Sequence, residues 1–185
     1  MSNPSTRKLR IGLLVNSLDQ PAWVWHMLKR IADSHYAEIA LVVQNIAEPP
    51  ARDSRISRLW RNRGVMLFRL FQKFESRWVS VAHDAFAPTA IADLLGDIPV
   101  VGVAPRQTKF SDYVEPADIE KLCTHSIDIF IRLGFRILRG EILRVARYGV
   151  WSFHHGDNRV NRGSPPAVCG KCWNVRRSWD LFCKY

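Results

Sequence analysis

Residues 9–18 read LRIGLLVNSL, and residues 38–44 read EIALVVQ. Each is a short apolar run, the pattern of a strand buried on both faces. Between them, residues 19–33 read DQPAWVWHMLKRIAD. Asp19 is placed to cap a helix and Pro21 fits its first turn, so a helix is expected to run through Trp23 and Leu28 to about Asp33. Strand, helix, strand makes a βαβ unit with parallel strands and a right-handed crossover.

The same alternation continues downstream. Residues 98–103 (IPVVGV) predict a third strand, and residues 116–124 (PADIEKLCT) a capped helix with acidic residues in its first turns. Residues 127–133 (IDIFIRL) are the clearest strand of all. Residues 134–140 read as a turn leading to a short helix at 141–146, and residues 148–153 (YGVWSF) as the last strand. Strands alternating with helices predict an α/β fold, a doubly wound and mostly parallel sheet. Its buried parallel strands should include 9–18, 38–44 and 127–133. Glu48-Pro49-Pro50 interrupts the pattern, and residues 55–81 then mix Arg with Leu, Trp and Phe at helical spacing. There Leu67, Phe68, Leu70, Phe71 and Phe74 form an apolar stripe with Arg69, Lys73 and Arg77 among them. A helix on a membrane surface or on nucleic acid has this composition. An ordinary helix on the flank of a sheet has it too, and is the commoner case.

With 185 residues, 47% of them hydrophobic, the chain can build one domain with a real core. Its expected extent is 7–168. Residues 169–185 (CGKCWNVRRSWDLFCKY) show no strand or helix period and read as an irregular tail. Recurrent apolar runs exclude a wholly disordered chain. The 27 Lys and Arg against 17 Asp and Glu give a formal charge of +10, which favours anionic partners: nucleic acid, phosphorylated substrates or acidic lipid. Most of the basic residues are Arg, suited to planar recognition of phosphate and carboxylate, although a genome-wide preference would give the same bias. No apolar run approaches the ~20 residues of a membrane helix. The polar, basic residues 1–10 predict no signal peptide. Four Cys in such a chain point to a reducing, cytoplasmic setting.

Doubly wound sheets bind ligands beyond the C-terminal ends of their strands. The last predicted strand runs straight into His154-His155-Gly156-Asp157-Asn158, followed by Arg159, Asn161, Arg162, Gly163, Ser164, Pro165 and Pro166. A polar surface loop that happens to hold two His is the plain alternative. Imidazole, carboxylate, amide and guanidinium groups gathered after a buried strand favour a site.

Ser152-Phe153-His154, with Arg162-Gly163 after it and then Pro166, resembles a known signature. The N-terminal catalytic domain of the 10-formyltetrahydrofolate-dependent formyltransferases has a strand ending in Asn-x-His, a loop ending in Arg-Gly and a nearby Pro. Residues 126–135, with Ile137-Leu138 and Glu141-Ile142-Leu143, are similar to the family's strand and helix before the site. The likeness runs from about Asp118 to Pro166 and is only topological over residues 9–103. It implies a Rossmann-like formyltransferase N-terminal domain with 10-formyltetrahydrofolate as formyl donor. The implied acceptor is an amine: a sugar nucleotide, glycinamide ribonucleotide or tRNA-bound methionine.

In that chemistry an amine attacks the formyl carbon through a tetrahedral oxyanion. A His beside the carbon donates to the oxyanion or relays the amine's proton, and an amide donor stabilises the same oxygen. By resemblance, His154 takes the His role and Ser152 stands in the amide's place, with one shorter hydroxyl donor. His155, Gly156, Asn158, Arg162 and Gly163 would bind substrate or folate. The family's acidic residue lies a few dozen positions beyond the His, and this chain ends first, at Tyr185. Asp157 is the nearby substitute, though three residues from His154 its commoner role is to cap the loop. The expectation is therefore a domain incomplete at its C-terminus, nearly inactive as it stands, with a frameshifted or disordered tail. A basic nucleic-acid-binding module acting through residues 55–77 is the alternative from another class. Cys169-x-x-Cys172 has the spacing of half a zinc site, with Cys183 and His154 or His155 to complete it. One such pair falls short of the four spaced ligands of structural zinc, so no metal is expected.

Overall fold

The computed structural model describes residues 7–48, 66, 70, 71, 73, 74, 84–153 and 182–184, the last three as backbone alone. The first apolar run forms β1 (Leu9–Val15), followed by a short β2 (Asp19–Pro21), α1 (Ala22–Ala32) and β3 (Ala37–Asn45). After β4 (Pro88–Ala90) come α2 (Ala92–Leu95), β5 (Val100–Val103), β6 (Arg106–Gln107), β7 (Ser111–Tyr113) and α3 (Pro116–Cys123). The chain then forms β8 (Ile129–Arg132), β9 (Ile137–Arg139), α4 (Ile142–Val145), β10 (Val150–Phe153) and β11 (Phe182–Lys184).

The main sheet has the order β11-β10-β8-β1-β3-β5. From β10 to β5 every pairing is parallel, and β11 is antiparallel at the edge. In the central strand Leu13 pairs with Val42 on one side and Ile131 on the other. Alternation along each strand divides the apolar residues between the faces. Leu14, Leu41, Val43 and Phe130 meet Ile119 and Leu122 of α3 and Ile142 of α4. Leu13, Val15, Val42 and Ile131 meet Val24 and Leu28 of α1 and Leu95 of α2. Leu13 and Leu14 have no exposed surface, and full burial of one such side chain contributes about 1.5–3 kcal/mol. Helices on both faces of a parallel sheet make this a doubly wound, Rossmann-like α/β fold. The strand order grows outward from β1 in both directions, so the connections reverse between β1 and β8.

Several local expectations change. The first strand stops at Val15 rather than Leu18, and residues 19–21 pair antiparallel with β4. Asp19 therefore does not cap α1; the N-cap is Pro21 and makes no side-chain bond. The first helical N–H groups still need acceptors. They find main-chain ones: Ala22 N donates to Ala87 O and Trp23 N to Ala85 O, both at 3.0 Å. The stretch expected as a plain turn at 134–140 contains β9, which joins β6 and β7 in a second, three-stranded sheet. It is drawn there by Asp112, whose carboxylate accepts from Arg136 N at 2.8 Å and Arg136 Nε at 2.9 Å.

The tail is not wholly irregular, since Phe182–Lys184 pair with the open edge of β10; the rest of it lies outside the described residues. Leu70, Phe71 and Phe74 are helical and exposed. Among the described residues, the sheet faces hold α1 with α2 and α3 with α4. Leu67, Phe68, Arg69 and Arg77 lie outside the described residues.

Candidate functional site

β10 is fed by the turn at Gly149 and buried through Val150 and Ser152. It lies beside β8 with Ser152 paired to Arg132, which puts their side chains within reach on one face. Arg132 donates to Ser152 Oγ twice, from Nη2 at 2.7 Å and from Nε at 3.2 Å. Its Nη1 reaches Arg136 O at 2.8 Å. One guanidinium thus ties the C-terminal end of β10 to the segment that leaves β8. The hydroxyl uses its lone pairs here and keeps its proton. Among the described residues that proton meets only Phe153 O, at 3.5 Å, too long for a strong bond. A cationic donor on the oxygen draws charge from it and makes the O–H a better donor. Ser152 is therefore a buried hydroxyl at the strand end, able to donate one strengthened hydrogen bond. Arg132 was not singled out from the sequence, although a charge inside the apolar run 127–133 was the available signal.

A second feature lies where the connections reverse. A cavity of about 300 Å³ is lined by Asn16, Asn45, Ala47, Gln107, Asp112, Phe135 and Arg136. Asn16 follows β1, Asn45 ends β3, and Phe135 and Arg136 follow β8. Phe135 has φ of 62°, a left-handed conformation that is costly for a bulky residue. Its surroundings hold it there: Phe135 N donates to Asn16 Oδ1 at 2.8 Å, and Arg136 is paired with buried Asp112 at 2.7 Å. Gly134 gives the close approach this needs, for any Cβ would run into the main chain of Val15 and Asn16.

The opposite end of the sheet carries a buried carboxylate of another kind. Asp128 accepts both 2.8 Å bonds from Arg7 Nη2 and a 2.9 Å bond from Arg10 N. Burial by itself pushes its pKa up. The Arg10 N–H, the Arg7 guanidinium and Arg147 outweigh burial and hold it below the ordinary carboxylate range. It clamps β1 to β8 at their N-terminal ends, away from the edge where ligands of such sheets bind.

Of the residues nominated from sequence, Ser152 is described. His154, His155, Gly156, Asp157, Asn158, Arg162 and Gly163 lie outside the described residues, as do Cys169 and Cys172. Among the described residues no three His, Cys, Asp or Glu are grouped to hold a metal ion. No helix there is long and apolar enough to cross a membrane.

No protein-family model matches the chain, and no curated protein matches it. Among solved structures it is similar to glycinamide ribonucleotide transformylase 1 from Symbiobacterium toebii, at 14% identity with a TM-score of 0.46. That likeness covers 91% of this chain, which spans 62% of the length of the other.

Proposed function

We propose that the chain is a formyltransferase-like α/β domain that takes a formyl group from 10-formyltetrahydrofolate to an amine. The acceptor would be a sugar nucleotide, glycinamide ribonucleotide or tRNA-bound methionine. What carries the reading is Ser152. It occupies the slot of the family's amide donor, two residues before His154. It is buried at the C-terminal end of a parallel strand, with a polarised hydroxyl proton that makes no strong bond among the described residues.

The amine nitrogen would bond to the formyl carbon as the carbonyl oxygen takes up negative charge. Ser152 and His154 would donate to that oxygen, and the folate nitrogen would leave with a proton that His154 relays from the amine. Asp157 would stand near the imidazole, and Arg162 with Gly163, His155, Gly156 and Asn158 would hold donor or acceptor. The formal charge of +10 suits folate carboxylates and acceptor phosphates alike. Four Cys suit a cytoplasmic protein.

The test is formyl transfer from the folate donor to those three acceptors, followed by mass spectrometry, with folate binding measured separately. Turnover by the chain should be low, and His154→Ala should keep binding while lowering whatever turnover there is by about 10²–10⁴. Turnover untouched by that change, or no folate binding by the unaltered chain, would overturn the reading.

A further inference from the structure

We propose that the helical stretch carrying Met66, Leu70, Phe71, Lys73 and Phe74 is a docking surface for a lipid bilayer with anionic headgroups, and that it lies in the plane of the interface. The length of chain spent here is the first argument. The parallel neighbours β3 and β5 are joined through residues 46–99, where a crossover of about 12 residues suffices. On the sheet face beside this crossover, Leu95 of the four-residue α2 packs with Val24 and Leu28 of α1. A surplus of this size between two strands commonly serves a function outside the fold.

The exposed side chains set the partner class. Met66, Leu70 and Phe74 follow one another at intervals of four, and Phe71 lies three before Phe74, so the four share one side of the helix. Met66 is 43% exposed, Leu70 60%, Phe71 58% and Phe74 63%. Single exposed apolar residues are ordinary, but four in one stripe form a patch. Cations surround that patch in sequence. From Arg52 to Arg77 the chain has eight Lys or Arg against Asp53 and Glu75, so this segment holds six of the ten net positive charges. Lys73 is exposed on the same stretch; its methylene stem can lie along the apolar side chains while its ammonium stays at headgroup level. Interfacial helices combine these two features, with Leu and Phe sunk about 5–10 Å into the boundary between headgroups and acyl chains.

Two other occupants fit less well. Nucleic acid would engage the cations, but Met66 and Leu70 neither stack on bases nor bond to phosphate, so the apolar stripe would stay uncovered. A second copy of the chain would bring two segments of the same strong charge together. A bilayer answers both features at once. Anionic headgroups attract the cations, by about fivefold in affinity per charge, and the acyl boundary takes up the apolar stripe. None of these residues belongs to the strand end at Ser152 or to the cavity beside Asn16, so vesicle binding and formyl transfer are tested separately.

The experiment sediments the full chain with vesicles of phosphatidylcholine containing about one third phosphatidylglycerol. Pure phosphatidylcholine vesicles and single-stranded poly(U) RNA are run in parallel. The anionic vesicles should take up half of the chain at ~0.1–1 mM accessible lipid, and pure phosphatidylcholine should bind about tenfold more weakly or worse. Leu70→Ser combined with Phe71→Ser leaves the charge unchanged and alters exposed positions alone. The fold, checked by circular dichroism, should persist while affinity for the anionic vesicles falls about 10- to 100-fold. Phe71→Trp should bind at least as tightly as the unaltered chain, because indole favours the interface. The proposal is overturned if the anionic vesicles take up no chain by about 1 mM lipid, if pure phosphatidylcholine binds equally well, or if Phe71→Trp weakens binding. It is overturned too if the serine pair binds the anionic vesicles as tightly as the unaltered chain, whether or not that pair loses RNA binding or self-association.

Discussion

Replacing Gly134 with Ala tests the close approach on which the reversal between β1 and β8 depends. Gly134 N and Leu133 N both donate to Leu14 O, at 2.8 and 2.9 Å. An added Cβ would run into Asn16 N, with Val15 C at 2.7 Å and Asn16 Cγ at 2.9 Å. Carbon contacts settle at about 3.5–4.0 Å, so the methyl lacks roughly 1 Å of clearance. Two of the three atoms are main chain in a parallel ladder and cannot rotate away. Relief requires β1 and residues 133–135 to part, which stretches both bonds to Leu14 O and the 2.8 Å bond from Phe135 N to Asn16 Oδ1. Overpacking costs about 1–3 kcal/mol, and each weakened bond adds up to about 1 kcal/mol. The expected loss is about 3–4 kcal/mol. With a urea slope of about 2 kcal/mol/M, the unfolding midpoint should fall by roughly 1.5–2 M, with the slope unchanged. Urea titration by circular dichroism measures this. A loss below about 0.5 kcal/mol, at the level of an ordinary surface change, would refute the reasoning.

Two other perturbations address the polar clamps. Ser152→Ala takes from Arg132 the hydroxyl that accepts at 2.7 and 3.2 Å; the loss should be about 1–3 kcal/mol, or roughly 3–8 °C in Tm for a chain of this size. An unchanged Tm would contradict the pairing. Asp128 gives the pH dependence: its folded pKa lies below the unfolded value of about 3.9. The stability it contributes is thus present above pH ~4 and disappears as pH falls through the folded pKa. Asp128→Asn should therefore lose less stability than the unaltered chain on acidification below pH ~4; parallel stability curves for the two would exclude this role.

How much of the fold was legible follows from where burial dominates. Residues 9–15, 37–45 and 129–132 are apolar on both faces because helices cover both, so their composition alone marks them as central strands. Helix α3 announced itself through Pro116 and the acidic first turn. The small elements were not legible, because partners distant in sequence create them. The pairing of β2 with β4 joins positions near 20 and near 89, and it replaces the side-chain cap expected from Asp19 with carbonyls of Ala85 and Ala87. Strand β9 exists because Asp112, 24 residues upstream, binds Arg136. Strand β11 joins Phe182–Lys184 to β10, a pairing that no periodicity within a three-residue segment could reveal.

The candidate site divides on similar lines. The sequence marks the strand end before His154 because a buried run gives way abruptly to polar residues, and it marks Ser152 by its slot in that run. It does not mark Arg132. A guanidinium in a strand reads as a surface charge until the register pairs it with Ser152 across the sheet. The pairing changes what the hydroxyl can do. Without Arg132 it would be a weak neutral donor; with two N–H groups of one guanidinium on its oxygen its proton is strengthened. Asn16, Asn45 and Gln107 were illegible for a different reason. Isolated amides are ordinary turn residues, and only the reversal of the sheet gathers them around one cavity. Arg136 and Asp112 then remove net charge from that cavity, which follows from their 2.7 Å contact and not from the +10 of the whole chain. Global charge sets which partners are drawn toward the protein. Local pairing decides which of their atoms a given cavity can hold.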